Sequence, residues 1–155
     1  MHPKSEVFTT NHLTMTGFLI KTSYNDILRF KFYLDKAPLT CAAFLKALPF
    51  SRSLIHPGFL RKEIWTGKGP DVNILPENVF VLMEPGEIAI GAITPHDTRT
   101  SKQLGICYGQ AKPIESCNVF GKVFEDDLQL LKVLGQTIWR YGELNLSFEI
   151  AFNLY

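Results

Sequence analysis

The alternation of apolar and polar residues near the C-terminus is the feature that most constrains the fold of this chain. From Leu144 to Leu154 every second residue is apolar, and polar or small residues stand between them. Successive side chains of a strand point to opposite faces, so this segment predicts a strand that buries one face along its whole length. The same period runs from Leu28 to Leu34, and together with 15–22 it predicts an early β-hairpin.

Two segments change to helical periodicity. Between Asp35 and Pro49 the apolar residues recur at spacings of three and four, Pro38 suits the first turn, and Pro49 is expected to end the helix. The second segment follows the acidic run Glu125 to Asp127, which suits a helix N-terminus, and keeps helical spacing as far as Ile138. We therefore predict one helix after the second strand and one before the last strand.

The remaining chain consists of short apolar segments between loops rich in Gly, Pro, Asn and Asp. We expect strand material at 53–66, broken near Pro57 and Gly58, and further strands at 79–83, 88–93, 104–108 and 118–124. About eight short strands predict a mainly β fold, a closed and mostly antiparallel barrel with a helix over each open end. The 155 residues suit one such domain, at 14–155, preceded by a flexible N-terminal arm at 1–13.

Composition narrows the expected partners. Lys plus Arg number 16 and Asp plus Glu 15, with no basic cluster or charged tail, so neither nucleic acid nor a membrane surface is expected. No apolar run suits a signal peptide or a membrane span, and we expect a cytoplasmic protein. Cys41, Cys107 and Cys117 form no CxxC pair and predict buried free thiols. No metal site is expected, because no two histidines have ligand spacing, and no cofactor is expected.

Three motifs, in the same order, resemble the cyclophilins. They are FYLDKAPLTCAAFLKAL, EPGEIAI and NVFGKVFEDDLQLLKVL. A closer likeness, over nearly the whole chain, is to a group of uncharacterised bacterial proteins with a cyclophilin-like fold. Short sequence elements recur in that group. In this chain they correspond to Leu48-Pro49, His56, Trp65 to Gly67, Pro76 to Asn78, Pro85-Gly86, Tyr108-Gly109 and Asn118 to Phe120. The resemblance implies a cyclophilin-like barrel with a cleft on its side, and it implies no established reaction.

The resemblance also raises the question of prolyl isomerase activity. Cyclophilins use an arginine and an apolar pocket to lower a barrier of about 18–20 kcal/mol for rotation of the X-Pro bond. Arg61 lies where the resemblance places the arginine strand, but the Phe-His-Arg triplet and the Gln-Gly-Gly-Asp run are absent. Cys107-Tyr108 stands for an inner Phe-Phe, and Cys117-Asn118 replaces a histidine. A degenerate isomerase therefore stays an alternative, and we predict that its activity is absent or very weak.

The stretch from Ile55 to Gly67, IHPGFLRKEIWTG, carries most of the candidate site. Arg61, Glu63 and Trp65 share one parity, so a strand would present all three on one face. On a cleft wall, Arg61 would bind a carboxylate, Glu63 would orient Arg61, and Trp65 would supply a flat apolar surface. The alternative is an ordinary solvated face. His56 is either a pocket residue able to act as a base or a loop histidine.

Four further residues complete the candidate ligand-binding set. Glu77 and Asn78 either contact a ligand or cap a loop, Tyr108 needs a hydroxyl partner if it is buried, and the resemblance adds Asn118. The expected function is small-molecule binding, with a carboxylate as the expected ligand group, and an unassigned enzyme activity is left open. A non-catalytic interaction module is a further alternative, because the apolar last strand could pair across a two-fold axis in a homodimer if it lies at a sheet edge.

Overall fold

The structure, a computed structural model, describes residues 9–10, 13–14, 16–57, 62–66, 69–70, 72–79, 82–91, 103–112 and 117–150. The strands are β1 (Thr9–Thr10), β2 (Leu13–Thr14), β3 (Gly17–Thr22), β4 (Ile27–Phe32), β5 (Phe50–Ile55), β6 (Glu63–Thr66), β7 (Glu87–Gly91), β8 (Leu104–Cys107), β9 (Cys117–Val123) and β10 (Glu143–Ile150). The helices are α1 (Pro38–Ala47) and α2 (Leu128–Tyr141), and a 3₁₀ turn at Glu125–Asp127 precedes α2.

Eight of the strands form a closed barrel in which every neighbouring pair is antiparallel. Their order is β10-β3-β4-β9-β7-β8-β6-β5, and closure results because β10 pairs with both β3 and β5. This confirms the predicted fold class. Since both sides of β10 are hydrogen-bonded, its described residues offer no sheet edge, so the condition set for pairing across a two-fold axis is not met there, and a homodimer stays a prediction.

The interior of the barrel is filled by phenylalanine side chains. Phe18, Phe30, Phe44, Phe120 and Phe148 are fully buried. The ring centroid of Phe18 lies 4.9 Å from that of Phe30 and 4.8 Å from that of Phe44, which α1 contributes. Burial of one such side chain contributes about 1.5–3 kcal/mol. The alternation predicted from the sequence therefore becomes an inner apolar face that holds α1 on the barrel.

The two helices lie at opposite ends of the barrel, as predicted. The first turn of α1 is joined through Glu77 to Asn118, where β9 begins. At the other end, where β8 finishes, the ring of Tyr108 lies against Gly135 of α2. Within the described residues, neither helix combines the length and the apolar character needed to cross a membrane.

The strand predicted at 79–83 is described only in part, because 80 and 81 lie outside the described residues. Its described ends form isolated bridges, Val79 with Asn118 and Met83 with Ala111. A continuous strand over 79–83 therefore stays a prediction. The predicted arm at 1–13 lies mostly outside the described residues, and its described parts, β1 and β2, pair with each other.

An ion pair fastens α2 to the barrel. The backbone N–H and the Nε of Arg29 each donate to Oδ2 of Asp127 at 2.9 Å, and Nη2 donates to Oδ1 at 3.2 Å. Burial alone would raise the pKa of Asp127, but the hydrogen bonds from Arg29 and its positive charge outweigh burial and hold that pKa below its usual value. Asp127 therefore stabilises the folded chain in its ionised form.

Replacing Asp127 by Asn should lower the free energy of unfolding in a pH-dependent way. Because the folded pKa is depressed, the stabilisation is fully present above the pKa of the unfolded carboxyl and is lost as pH falls through the folded pKa. Urea unfolding of Asp127→Asn and of the exposed neighbour control Asp126→Asn, at neutral and acid pH, measures it. An equal loss in Asp127→Asn at all pH values would contradict this account.

Candidate functional site

The sequence-predicted site residues fall in three separate places on the barrel. Arg61 lies outside the described residues. His56 and Tyr108 meet at the end covered by α2, whereas Glu77, Asn78 and Asn118 meet at the end covered by α1. Glu63 and Trp65 lie on the outer wall. The structure therefore brings the candidates together as three small groups and not as one cleft.

His56 and Tyr108 form a hydrogen-bonded pair beneath α2. Nε2 of His56 lies 2.5 Å from the Tyr108 hydroxyl, and the ring of Trp139 packs edge-on against His56 with centroids 5.2 Å apart. Burial raises the pKa of Tyr108. Any Cβ at Gly135 would overlap the Tyr108 ring, so this glycine permits the helix to approach it. The predicted need of the buried tyrosine for a partner is confirmed, and both side chains point away from the outer wall.

Glu77 caps the first turn of α1. Its carboxylate accepts hydrogen bonds from the backbone N–H groups of Leu39 and Thr40, both at 2.9 Å, and from the Thr40 hydroxyl at 2.6 Å. These N–H groups belong to the first turn of the helix, which has no intrahelical acceptors for them. These contacts cap a helix, whereas the two roles predicted for Glu77 were ligand contact and capping of a loop.

Asn118 fastens the segment before β7 to the start of β9. Its Oδ1 accepts from the backbone N–H groups of Glu77 at 2.7 Å and Asn78 at 3.0 Å, and its Nδ2 donates to the carbonyl of Leu75 at 2.8 Å. Asn78 Nδ2 donates to the Val119 carbonyl at 2.7 Å. Asn118 is fully buried. Its amide therefore satisfies buried backbone groups, and a ligand role for Glu77, Asn78 and Asn118 stays a prediction.

A row of chemically reactive side chains crosses the outer wall of the barrel. Strand register places it on five neighbouring strands, β4, β9, β7, β8 and β6. We call it the outer row, and its members are Lys31, Lys122, Glu87, Cys107 and Glu63. A register shift between Ile88 and Ala89 lets both Lys122 and Val119 of β9 face outward. Two cations thus lie at one end of the row and two carboxylates flank Cys107.

The side chains in the middle of the outer row already form hydrogen bonds within the protein. The Cys107 thiol donates to the Glu84 carbonyl at 2.7 Å, and the Tyr33 hydroxyl donates to the Glu87 carboxylate at 2.8 Å. Burial, together with the negative charges of Glu87 and Glu63, raises the pKa of Cys107 to about 12. The thiol is therefore protonated at neutral pH. All three cysteines are buried and free, which confirms that prediction.

The Glu63 end of the outer row has a buried carboxylate beside an aromatic ring. Glu63 is only 4% exposed although it faces away from the core, and it lies directly opposite Cys107. Trp65, on the same face, is half-buried and lies opposite Gly105, which places no side chain beside the indole. The shared parity predicted for Glu63 and Trp65 is confirmed for these two residues.

Sequence reasoning missed the other members of the outer row. Lys31, Lys122 and Glu87 carry no local motif, and only the pairing of Lys31 with Lys122 and of Glu87 with Lys122 brings them together. Alternation within each strand could have assigned Lys31 to the outer face, but not its neighbours. Among the described residues, no group of three or more His, Cys, Asp or Glu side chains is placed to hold a metal ion.

Comparison with known proteins agrees with the fold. The profile of a family described as "Protein of unknown function (DUF3830)" matches residues 21–150. A cyclophilin-type peptidyl-prolyl cis-trans isomerase from Cryptosporidium parvum is 19% identical, with a TM-score of 0.62, over 89% of this chain and 98% of that one. A hypothetical protein from Archaeoglobus fulgidus is 18% identical, with a TM-score of 0.61, over 92% of this chain and 100% of that one.

A third structure similar to this chain is McbB in complex with tryptophan. It is 11% identical, with a TM-score of 0.59, and the match covers 85% of this chain but only 44% of McbB, so the chain spans less than half the length of that protein. No curated protein matches the chain in sequence. At these identities the structural likeness shows the fold alone, and it confirms that the barrel is cyclophilin-like.

Replacing Glu77 by Ala should destabilise the protein by about 1–2 kcal/mol, because the first turn of α1 loses its acceptor. Urea unfolding measures the change, with the exposed Asn73→Ala in the same segment as the control that should stay near wild type. Unchanged stability in Glu77→Ala, combined with loss of ligand binding, would show that Glu77 contacts a ligand and does not stabilise α1.

Proposed function

The chain belongs to the DUF3830 family, and we propose that it binds a small carboxylate-bearing molecule on the outer wall of the barrel, at the Glu63–Trp65 end of the outer row. The observation that carries this proposal is the burial of Glu63, which is 4% exposed on an outward face. An ionised carboxylate is rarely buried without a charged or hydrogen-bonding partner, because desolvation is costly.

Arg61 is the proposed cationic partner in this site. It precedes Glu63 by two residues, so the alternation of a strand would give it the same outward parity as Glu63 and Trp65. A guanidinium has five N–H donors in a planar fork, and a bidentate pair with Glu63 leaves donors for a ligand carboxylate. In this arrangement Glu63 orients Arg61, and Arg61 binds the ligand.

Trp65 supplies the apolar part of the proposed site. The indole is half-buried, and the residue opposite it on β8 is Gly105, so no neighbouring side chain covers that flank from β8. An aromatic face in such a position can stack on a flat ligand group. The ligand class that fits is therefore a carboxylate attached to a planar apolar group.

The outer row favours binding over covalent chemistry. The Cys107 thiol is held protonated, with a pKa of about 12, and it is fully buried. His56, which could serve as a base, is paired with Tyr108 beneath α2. An enzyme activity is left open by this proposal, but none of the described groups of the outer row is an activated nucleophile.

L-Tryptophan, which combines a carboxylate with an indole, should raise the melting temperature, whereas tryptamine, which lacks the carboxylate, should not. A ligand at 100 times its dissociation constant adds about 2.7 kcal/mol to the free energy of unfolding. Arg61→Ala should abolish the shift, and Glu63→Gln should weaken it. Arg140→Ala, which changes an exposed arginine on α2, is the matched control. A shift that survives in Arg61→Ala, or one equal for tryptamine, would remove this assignment of the site.

Prolyl isomerase activity is the second candidate, and the likeness to a cyclophilin-type isomerase is what favours it. The packing of the wall over β7 to β9 argues against it. Met83 is 2% exposed, Ala89 2%, Ala111 6% and Val119 0%, so these apolar side chains fill the space beside one another. A catalytic arginine also needs an open apolar pocket for the proline ring, and an error of about 1 Å in placement can cost on the order of 10²-fold in rate.

A protease-coupled assay on a short X-Pro peptide should show no acceleration at micromolar concentrations of the protein. The uncatalysed isomerisation takes tens to hundreds of seconds, so even a weak activity is measurable. An acceleration that disappears in Arg61→Ala, and persists in the control Arg140→Ala, would establish the isomerase in place of the binding protein.

A further inference from the structure

The Lys31–Lys122 end of the outer row takes no part in the function proposed above. We propose that it is a second binding site, which takes the phosphoryl group of a small phosphate ester that carries a flat apolar group. The proposal depends on the pairing of these two lysines, on the groove that they line and on the aromatic rings beside them.

The two lysines form a like-charge pair across neighbouring strands. Lys31 of β4 lies directly opposite Lys122 of β9, and both face outward. Like charges directly opposite each other destabilise a sheet. Neither ammonium group forms an ion pair within the described residues. The nearest carboxylate in the row, that of Glu87, accepts hydrogen bonds from the Tyr33 hydroxyl and from the Glu84 backbone N–H. A bound anion would relieve this repulsion.

The lysines line a groove large enough for a small molecule. Two cavities, of about 430 and 440 Å³, adjoin on this wall and share Lys31, Phe32 and Tyr33. One extends past Lys122 to Phe124, and the other extends to Lys36. Volumes of roughly 300–1,000 Å³ are usual for small-ligand sites.

The charges and rings of the groove indicate the ligand class. The cations facing the groove are lysines, whose ammonium groups act as point charges that suit a phosphoryl group, whereas the nearby Arg29 is already bound to Asp127. The carboxylates on the lining are those of Asp35 and Glu125, both exposed at the rim. On the lining, three lysines therefore face two carboxylates.

Glu87, opposite Lys122 on β7, is a third carboxylate nearby, and it is already held by Tyr33 and the Glu84 N–H. A phosphate monoester would supply a negative charge to Lys31, which has Lys122 as its neighbour on β9.

Two aromatic rings flank the lysines and suit the flat part of such a ligand. The ammonium of Lys31 lies 5.8 Å from the centroid of the Phe124 ring, and that of Lys36 lies 5.1 Å from the centroid of Tyr33. Each ring thus has a cation over its face, and the Phe124 ring also has the Arg29 guanidinium 4.9 Å from its centroid. A ligand with a planar apolar group can lie beside these rings while its phosphoryl group binds the ammonium groups.

Titration with phenyl phosphate, followed by amide chemical shifts at 31–33 and 122–124, tests the proposal. We expect saturable shifts that weaken with added salt, because exposed charges are screened. Inorganic phosphate tests the anion alone and phenol tests the ring alone, and both should bind at least about tenfold more weakly. Equal affinities for inorganic phosphate and phenyl phosphate would overturn the assignment of the ester, and no saturable shift with either would overturn the site.

Two variants connect the shifts to the lysine pair. Lys122→Met should weaken phenyl phosphate at least about tenfold, whereas Lys46→Met, which changes an exposed lysine in the last turn of α1, should not. Lys31→Glu should abolish binding and raise the melting temperature at low salt, because it replaces a like-charge pair by an opposite one. Unchanged binding in Lys122→Met, or a lowered melting temperature in folded Lys31→Glu, would overturn the proposal.

The same variants separate this site from the function proposed above. Lys122→Met should leave the thermal shift with L-tryptophan unchanged, and Arg61→Ala should leave phenyl phosphate binding unchanged. A joint loss of both ligands in either variant would overturn the claim that the two ends of the outer row are separate sites.

Discussion

Closure of the barrel through β10 is the constraint on which the rest of the structure depends. Because β10 pairs with both β3 and β5, the sheet has no free edge, and every barrel strand has one inner and one outer face. The inner face collects the phenylalanines and the apolar sides of the two helices. Polar and reactive side chains are thereby sorted to the outer wall or to the two helix-covered ends.

This sorting explains why the candidate residues do not form one cleft. His56 and Tyr108 hold the α2 end, and Asn118 with Glu77 holds the α1 end. The Tyr108 hydroxyl pairs with Nε2 of His56, and the carboxylate of Glu77 and the amide of Asn118 satisfy backbone groups. Glu63 and Trp65 remain on the outer wall, where Glu63 is buried without belonging to the core. The outer wall is therefore where the proposed ligand sites lie.

Much of the fold and part of the site could be predicted. The alternation from Leu144 and the helical spacing after Asp127 depend on local geometry, so β10 and α2 were predicted from sequence alone. The common outward parity of Glu63 and Trp65 followed from the same rule. At 79–83 an apolar run without alternation predicts a strand less securely, and its described ends form only isolated bridges.

The sequence by itself determined which residues share a face in the helices and in the regularly alternating strands, because that depends on a local period of 2.0 or 3.6 residues. The tertiary structure alone decided which outward residues became neighbours. Lys31 and Lys122 are far apart in the chain; the register of β4 with β9 brings them opposite each other, and the register of β7 with β9 adds Glu87 to the outer row. Register is a property of pairs of strands, so no single segment encodes it.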